Sequence, residues 1–424
     1  MQTTQINKLF KNRINIFCHI LIEFLTYLML NLIFNQFSHL EIINFYSLII
    51  WIFVSYIFDR YHFGSFKFKY IKKYIFKTSG IYLFLLVFNL ILGFKGFSIL
   101  IFFILSIFTQ ICYLKISLKK NQFFKKWLTN DFSLIESFQI NPNQFRNHKL
   151  FFFERNIKYC PSDFEGIILD NNLPKYNFVN DLNKLDKLNV FSSLDWCERY
   201  IESFPLNVFK NDSFYKDLKK QNTNSFYYKF KRIFEFIFSL IVLIILSPII
   251  FLFSLLVLFQ DGFPIFYSQL RKGKNNRINK IFKIRSMKKD SELNGPQWSS
   301  YKDSRITFVG KFMRKNRIDE LPQLFSVIFG ELSLIGPRPE RPEIDELLKK
   351  EIEFYDYRYT VKPGITGWAQ VNYPYGASIE DSKIKQSYDL YYVKNVSIIL
   401  DLIILFKTIR LILNGRGAIP IEKK

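Results

Sequence analysis

Long apolar runs limit what this chain can fold into more than any other feature. Four of them occupy residues 14–36, 40–58, 78–94 and 96–114, and a fifth covers 233–259. A run of about 20 apolar residues matches the hydrocarbon core of a bilayer. The runs therefore predict a membrane protein, although a composition of 49% hydrophobic and 22% charged residues would also suit a globular chain.

Lysine and arginine alternate between the loops that separate the first four runs. They precede residue 14, crowd the loop 59–77 and follow residue 114, whereas the loop 35–40 has none. Because cytoplasmic loops of membrane proteins carry an excess of these residues, both ends of this segment are expected in the cytoplasm. Residues 1–115 are therefore predicted to form a transmembrane domain of four helices.

The fifth run differs from the others because basic clusters flank both of its ends. A single crossing would leave one cluster outside the cytoplasm, which the charge rule disfavours. Pro248 lacks a backbone N–H and kinks a helix, and the hydroxyl of Ser247 can satisfy a freed carbonyl. We therefore predict a re-entrant helix over 233–259 that bends at Ser247 and Pro248 and leaves the membrane on the side from which it entered. A proline-kinked true span is the alternative.

Residues 116–225 lack long apolar runs and show a mixed pattern. Short β-like runs occur at Lys149–Phe153, Phe164–Leu169 and Leu188–Phe191, and a helical stretch follows at Ser193–Phe204. No glycine-rich phosphate loop accompanies them. The pattern predicts a small α/β insert domain, a spacer or assembly module, with no nucleotide assigned to it.

In the third region, short strands and helices follow the re-entrant helix. Strands are predicted at Pro264–Leu270 and Lys280–Met287, around a basic loop. Val396–Leu413 is typical of an amphipathic helix on the membrane surface, with a packed core helix as the alternative. The predicted fold class is an α-rich α+β membrane protein with three domains, a transmembrane domain at 1–115, a soluble insert at 116–225 and a third domain at 226–424.

The stretch Arg314–Glu343 concentrates residue types that handle phosphate. Asp319 and Glu320 stand side by side, and Pro322 follows, a residue favoured at the first position of a helix. The two carboxylates are therefore expected at a helix N-terminus, where free N–H groups favour ionised carboxylates and anions. The apolar spacing predicts that one face of this helix is buried, made of Leu321, Leu324, Phe325 and Ile328.

Two interpretations of this acidic pair stay open on the residues alone. In the first, the pair caps the helix and forms surface salt bridges with neighbouring arginines. In the second, one carboxylate attacks phosphorus, the other holds a metal, and the arginines neutralise the phosphate. The third region contains no histidine and no cysteine, so a catalytic site there has to work with carboxylates and cations.

The net charge of +23 suits anionic partners such as lipid head groups and nucleotides. Lys283 and Arg285 alternate with apolar residues, so both would point to one face of a strand, where a solvated surface is the plain alternative. Arg314 precedes the acidic pair, and Arg338 lies between two prolines that stiffen its backbone. Thr366 lies in a tight glycine-containing turn that either cradles a phosphate or base or is an ordinary turn.

Residues 229–418 carry a dense and ordered series of motifs, namely KRIFE, SP, FPIFYSQLRKG, FKIRSM, RITFVGKFMRKNRIDELPQL, GELSLIGPRPERPE, KPGITGWAQVNYPYG, YDLYYVKN and RGA. This series resembles the bacterial sugar transferases, the monotopic phosphoglycosyl transferases that load a sugar phosphate onto a polyprenyl phosphate. Four preceding spans and a soluble insert resemble the long-form members of that family. The sequence departs from the family pattern at Glu235, where Asp is usual, and in the loop Lys272–Asn279, which lacks a second glycine.

The resemblance implies an enzyme that transfers a hexose 1-phosphate from a UDP-sugar to undecaprenyl phosphate and releases UMP. Asp319 would be the nucleophile that carries the phospho-sugar, and Glu320 would hold Mg²⁺. Ser247 and Pro248 match the family's re-entrant break. Four basic positions of the family would contact phosphate, namely Lys283, Arg285, Arg314 and Arg338.

The same resemblance implies the inner membrane of a bacterium, a catalytic domain on the cytoplasmic face, and the first membrane step of exopolysaccharide, capsule or O-antigen synthesis. The expected partners are the UDP-sugar, the polyprenyl phosphate and the lipid bilayer, with a homodimer as in long-form relatives and without nucleic acid, since no nucleic-acid-binding module is recognised. A competing hypothesis is a non-catalytic membrane scaffold, which would tolerate loss of Asp319. Another is a transferase with its site inside the bilayer, for which the first four runs offer little beyond Glu23.

Overall fold

The computed structural model describes a few positions before residue 56, residues 291 and 376, and the ranges 125–145, 148–152, 163–170, 189–209, 214–215, 225–289, 303–373 and 378–413. The chain divides into two compact units, Met1–Lys125 and Lys126–Lys424. Apart from those few positions, the four transmembrane helices predicted for residues 1–115 lie outside the described residues. The predicted boundary between residues 225 and 226 stays a prediction.

The first part of the second unit is a small α/β layer. Its elements are β1 (Lys125–Thr129), α1 (Phe132–Ile140), β2 (His148–Phe152), β3 (Gly166–Leu169), β4 (Asn189–Ser192) and α2 (Ser193–Trp196), which a π-helical turn extends over Cys197–Ile201. The strand order is β2-β1-β3-β4, and β3 runs parallel to both β1 and β4. The three predicted strands are confirmed to within two residues, and β1 is an additional strand that the sequence pattern did not indicate.

The second part carries the long apolar helix and the acidic pair. Its elements are α3 (Ser225–Asp261), β5 (Phe266–Lys272), β6 (Ile278–Ile284), α4 (Phe308–Lys315), α5 (Gln323–Phe329), β7 (Ser333–Ile335), α6 (Pro342–Glu351), β8 (Gly364–Thr366), α7 (Trp368–Asn372), α8 (Ile379–Lys394) and α9 (Ile398–Leu413). Strands β5 and β6 form an antiparallel hairpin, whereas β7 and β8 pair in parallel. The predicted hairpin strands are confirmed with shifts of two or three residues. The described part of the chain is thus rich in helices with small sheets, as predicted.

Helix α3 is the one helix among the described residues that is long and apolar enough to cross a membrane. It continues through Pro248, and the hydroxyl of Ser247 donates a hydrogen bond to the carbonyl of Ile244 at 2.8 Å. That carbonyl is the one that the missing N–H of Pro248 leaves without its helical donor. The predicted compensation by Ser247 is confirmed, whereas the re-entrant path of the helix stays a prediction.

Both ends of α3 are fixed to the same folded part of the chain. Near its N-terminus, the carboxylate of Glu235 accepts a hydrogen bond from the backbone N–H of Leu334 at 3.0 Å. Near its C-terminus, Val257 packs with Ile284 and Met313 in a buried cluster. Between these contacts the helix exposes large apolar side chains at 65–66%, namely Ile244, Ile245 and Phe251.

Helix α5 follows the acidic pair as predicted, and Gly330 ends it with a left-handed φ of 84°. The predicted buried face is confirmed only in part. Leu324 is buried, Leu321 and Ile328 are half-buried, and Phe325 is 46% exposed, whereas Val327, outside the predicted face, is buried. The guanidinium of Arg232 on α3 donates to the carbonyl of Val327 and so fixes the rotation of α5. The spacing of apolar residues could not predict this polar contact with another helix.

Helix α9 packs into the protein by the side that carries Asp401. The carboxylate of Asp401 accepts a hydrogen bond from the hydroxyl of Tyr392 at 2.8 Å and pairs with Lys231 of α3 at 2.9 Å. Leu400 and Ile404 are fully buried beside it. The packed-helix alternative therefore describes this side of α9, and contact of its other side with a membrane stays a prediction.

The α/β layer packs against helix α8. Gln144 donates to the hydroxyl of Ser387 at 2.8 Å, and the backbone N–H of Phe204 donates to the carbonyl of the same serine at 3.0 Å. Lys394, at the end of α8, pairs with Glu198 at 3.0 Å. Helix α8 therefore connects the layer to the part of the chain that holds the acidic pair.

Candidate active site

The acidic pair lies in a tight turn between α4 and α5. Arg317 has a left-handed backbone with a φ of 58°, and a 3₁₀ turn follows over Ile318–Glu320. This conformation is uncommon for a residue with a Cβ atom and is found at functional sites. The turn buries both acidic side chains, leaving Asp319 5% and Glu320 8% exposed. Such burial argues against a solvated helix cap with surface salt bridges.

Glu320 is surrounded by three cations from three separate parts of the chain. Its carboxylate lies 2.7 Å from Arg338, 3.2 Å from Arg317 and 3.4 Å from Lys283. Burial by itself would raise the pKa of Glu320, but the three cations together hold that pKa well below its usual range. Glu320 is therefore ionised, and its charge gathers the basic groups into one place.

Asp319 has a different environment although it is the neighbouring residue. Burial and the negative charge of Glu320 raise its pKa, while Lys283, Arg314 and Arg317 act in the opposite direction. Its Oδ1 atom is buried and has no hydrogen-bond partner among the described residues. A buried carboxylate oxygen without a donor is costly. This oxygen is therefore the atom of the site that is best suited to contact a ligand.

Lys283 joins the hairpin to the acidic pair. It lies on β6, whose neighbouring residues Ile281 and Ile284 are buried and fix the strand against the core. Burial lowers the pKa of Lys283 to about 8, against the opposing charge of Glu320. A lysine with this environment is a compact cation that is already partly desolvated.

The remaining predicted site residues make contacts of their own. The Nε atom of Arg314 donates to the hydroxyl of Ser286 at 3.0 Å. Arg285 donates to the carbonyl of Gly262 at 2.8 Å, just beyond the C-terminus of α3. The hydroxyl of Thr366 lies 2.6 Å from that of Thr408 on α9. The structure thus brings Lys283, Arg314 and Arg338 to the acidic pair, and their contacts with phosphate, like those of Arg285 and Thr366, stay predictions.

Sequence reasoning missed a second buried ion pair close to this site. Arg358 and Asp389 are 4% and 1% exposed and lie 2.8 Å apart. Burial raises the pKa of Asp389 to about 6, with Arg358 acting in the opposite direction. Asp389 lies in the motif YDLYYVKN and Arg358 lies in none of the motifs, and the two residues are far apart in sequence. Only the folded chain therefore shows that they meet.

Comparison with known proteins identifies the family of this region. A sequence model described as bacterial sugar transferase matches residues 226–415. A UDP-N-acetylgalactosamine-undecaprenyl-phosphate N-acetylgalactosaminephosphotransferase of Aeromonas hydrophila is 46% identical over 188 residues, or 44% of each chain. A putative undecaprenyl-phosphate N-acetylgalactosaminyl 1-phosphate transferase of Bacillus subtilis is 45% identical over 31% of this chain and 74% of its own length. An exopolysaccharide production protein of Sinorhizobium fredii is 36% identical over 44% of this chain and 87% of its own length.

The chain belongs to the bacterial sugar transferase family, because it matches two of these relatives over most of their length. The acidic pair and the cations around it all lie within the matched residues. The chain covers less than half the length of the Aeromonas protein and of other relatives like it. The α/β layer lies before the matched residues.

Proposed function

We propose that this chain is a phosphoglycosyl transferase that moves a hexose 1-phosphate from a UDP-sugar to undecaprenyl phosphate. The observation that carries the proposal is the acidic pair, in which a buried oxygen of Asp319 has no partner among the described residues while three cations hold Glu320 ionised. Relatives named as undecaprenyl-phosphate sugar phosphotransferases support this reaction class. The product would start the membrane steps of exopolysaccharide, capsule or O-antigen synthesis in the inner membrane of a bacterium.

Asp319 is the nucleophile in this proposal. One of its carboxylate oxygens bonds to the sugar-bearing phosphorus of the UDP-sugar, and the bond from that phosphorus to the bridging oxygen breaks as UMP leaves. An oxygen of undecaprenyl phosphate then attacks the same phosphorus, and the bond to Asp319 breaks. The product is a polyprenyl diphosphate sugar, and the carboxylate is restored. A carboxylate needs no general base, which agrees with a region that has no histidine.

The basic residues neutralise charge during both steps. A carboxylate that approaches a diphosphate meets strong repulsion, which is several kcal/mol at close range in a partly dry site. Arg338 and Arg317 carry planar donor groups that fit phosphate oxygens, and Lys283 adds a point charge. These three cations already converge on Glu320, beside the proposed nucleophile, and this supports a role for them in binding the phosphates.

The two carboxylates are a suitable donor set for magnesium. Mg²⁺ prefers oxygen ligands and is commonly bound by one or two carboxylates together with substrate phosphates. Asp319 offers an unpartnered oxygen, and Glu320 would bind the ion in place of one of its present cation contacts. The described residues contain no cluster of three or more acidic, histidine or cysteine side chains. Bound there, the ion would supply positive charge to the diphosphate.

The path of α3 supports a site on one face of the membrane. A straight helix of 37 residues would be roughly 55 Å long, against a hydrocarbon core of about 30 Å. Its two ends would then lie on opposite sides of the bilayer, where one folded part of the chain could not contact both. Glu235 and Val257 nevertheless both contact that part, and the apolar middle is exposed. A re-entrant helix accounts for these contacts.

The proposal predicts that membranes containing this chain release UMP from UDP-sugars when undecaprenyl phosphate is present. EDTA should reduce the release by about tenfold or more, because without a metal ion the three cations leave part of the charge of the diphosphate and the two carboxylates unbalanced. Membranes that contain the Asp319→Asn chain are the matched control. If neither chain releases UMP from any of several UDP-hexoses, the non-catalytic scaffold becomes the better explanation.

The re-entrant path predicts that the hairpin loop near Gly273 faces the cytoplasm. A cysteine at the exposed position Arg277, in a chain without its native cysteines, should react with a membrane-impermeant maleimide only in inside-out vesicles. A cysteine at Ser38, in the loop without basic residues, should show the opposite pattern. Labelling of the Arg277→Cys chain from the periplasmic side would overturn the re-entrant helix.

A further inference from the structure

Four consecutive carbonyl groups of residues 337–340 are held by four different donors. The carbonyl of Pro337 accepts from the backbone N–H of Gly364 at 2.9 Å, and that of Glu340 accepts from Lys272 at 2.9 Å. The other two acceptors, the carbonyls of Arg338 and Pro339, receive side-chain donors from Arg358 at 2.8 Å and from Arg271 at 3.1 Å. The segment belongs to no helix or strand, so these donors set its path.

Among these four donors, Arg358 makes further polar contacts in the protein interior. Its Nη2 atom, which reaches the carbonyl of Arg338, also lies 2.8 Å from the carboxylate of Asp389. Its Nη1 atom donates to the hydroxyl of Tyr355. A fully buried arginine and aspartate are expensive to desolvate, and such a pair gives little net stability compared with apolar residues of similar size. A contribution of this ion pair to the geometry of the site would explain why the protein contains it.

Arg338 connects Arg358 to the acidic pair. Arg338 donates from its side chain to Glu320 at 2.7 Å, so the carbonyl and the guanidinium of one residue connect the buried ion pair with the site. Prolines on both sides limit the backbone of Arg338 and remove the N–H of Pro339 as a possible anchor. The hydrogen bond from Arg358 is therefore a main determinant of where this guanidinium points.

We propose that Arg358, held by Asp389 and Tyr355, is a positioning residue that sets the Arg338 guanidinium against Glu320 and the substrate phosphate. This inference rests on the proposed function and names a residue of the same site that does not touch the reacting atoms. Arg358 acts through Arg338 alone, so its loss has no effect once the Arg338 side chain is gone. That dependence separates a positioning role from a general contribution to stability.

The test is a double-mutant cycle on the full-length chain in membranes. Arg358→Lys keeps a cation beside Asp389 but lacks the forked donor that also reaches the Arg338 carbonyl. We expect kcat/KM for the UDP-sugar to fall by about 10²-fold, the size of effect that a displacement near 1 Å has in an active site. Arg338→Met should reduce the same constant by a similar or larger factor. The double variant should be within about threefold of Arg338→Met, because coupled residues are not additive.

Two further variants keep the test decisive. Lys394→Met removes another ion pair of α8, the one with Glu198, and this pair does not contact residues 337–340. The variant should keep kcat/KM within about threefold of the wild-type value. If Arg358→Lys does not fold, as judged by thermal unfolding, Tyr355→Phe replaces it in the cycle because it removes only the hydroxyl that contacts Nη1.

Full activity of Arg358→Lys would overturn the inference, as would effects that multiply in the double variant. Both outcomes leave the proposed function intact, because it fails only if the wild-type chain itself releases no UMP. A loss in Arg358→Lys that disappears in the Arg338→Met background supports the inference.

Discussion

Replacing Asp319 with asparagine should abolish turnover and leave the protein folded. Asparagine has the same volume but cannot form the acyl phosphate, so kcat should fall by at least the order of 10³-fold, as when a covalent nucleophile is removed. The variant should unfold at the same temperature as the wild type or at a higher one. Burial raises the pKa of Asp319, which means that the site disfavours its charge, and a neutral amide avoids that cost.

The covalent step gives this prediction a second and independent measurement. Wild-type chain mixed with a donor labelled in its sugar phosphate and quenched in denaturant should retain label on the peptide that contains Asp319. Asp319→Asn should retain none, whereas Asp356→Asn, at a half-exposed position, should retain the label and the activity. Product formed without any label on the chain would contradict the proposed nucleophile, and so would near-normal activity of Asp319→Asn.

Features set by neighbouring residues could be predicted from the sequence. The hairpin strands, the helix after Pro322 and the serine that compensates for Pro248 all depend on spacings of a few residues, and the structure bears them out. The acidic pair is also local, and its burial favours the catalytic interpretation over a surface cap. In each case residues that are close in sequence determine the local structure.

Features set by distant partners could not be predicted. Phe325 fits an apolar stripe, yet its side chain is exposed, and Arg232 of α3 binds a carbonyl in the last turn of the same helix. The sequence did not indicate that Arg285 donates to the carbonyl of Gly262 at the end of α3. Arg358 belongs to none of the motifs, and the motif that contains Asp389 does not indicate its partner. Long polar side chains contact residues that are distant in sequence, and the periodicity of apolar residues does not predict which residues these are.

The arrangement of the described residues gives the α/β layer a structural role. The layer contacts α8 through Ser387, and α8 carries Asp389, which pairs with Arg358. Residues that lie before the matched family region thus support a helix that belongs to it. The predicted assembly role of this layer and the predicted homodimer stay predictions.

Replacing Glu320 with glutamine should weaken both the site and its response to magnesium. The change leaves Lys283, Arg317 and Arg338 converging on a neutral amide, so their mutual repulsion is no longer balanced. Removing one member of a fully buried ion pair costs about 3–5 kcal/mol, and roughly 1–3 kcal/mol is expected here because these cations are 20–27% exposed. Thermal unfolding of the purified chain in detergent measures this loss.

The same substitution should lower kcat and raise the Mg²⁺ concentration needed for half-maximal rate. Glutamine keeps one carbonyl oxygen but no negative charge, and Mg²⁺ binds neutral oxygen far more weakly than carboxylate. Glu331→Gln, which removes a charge at an exposed position just after α5, should leave both the metal titration and the unfolding temperature unchanged. If Glu320→Gln lowered stability but not the apparent metal affinity, Glu320 would serve to gather the cations, and the metal would have to bind through Asp319 and the substrate alone.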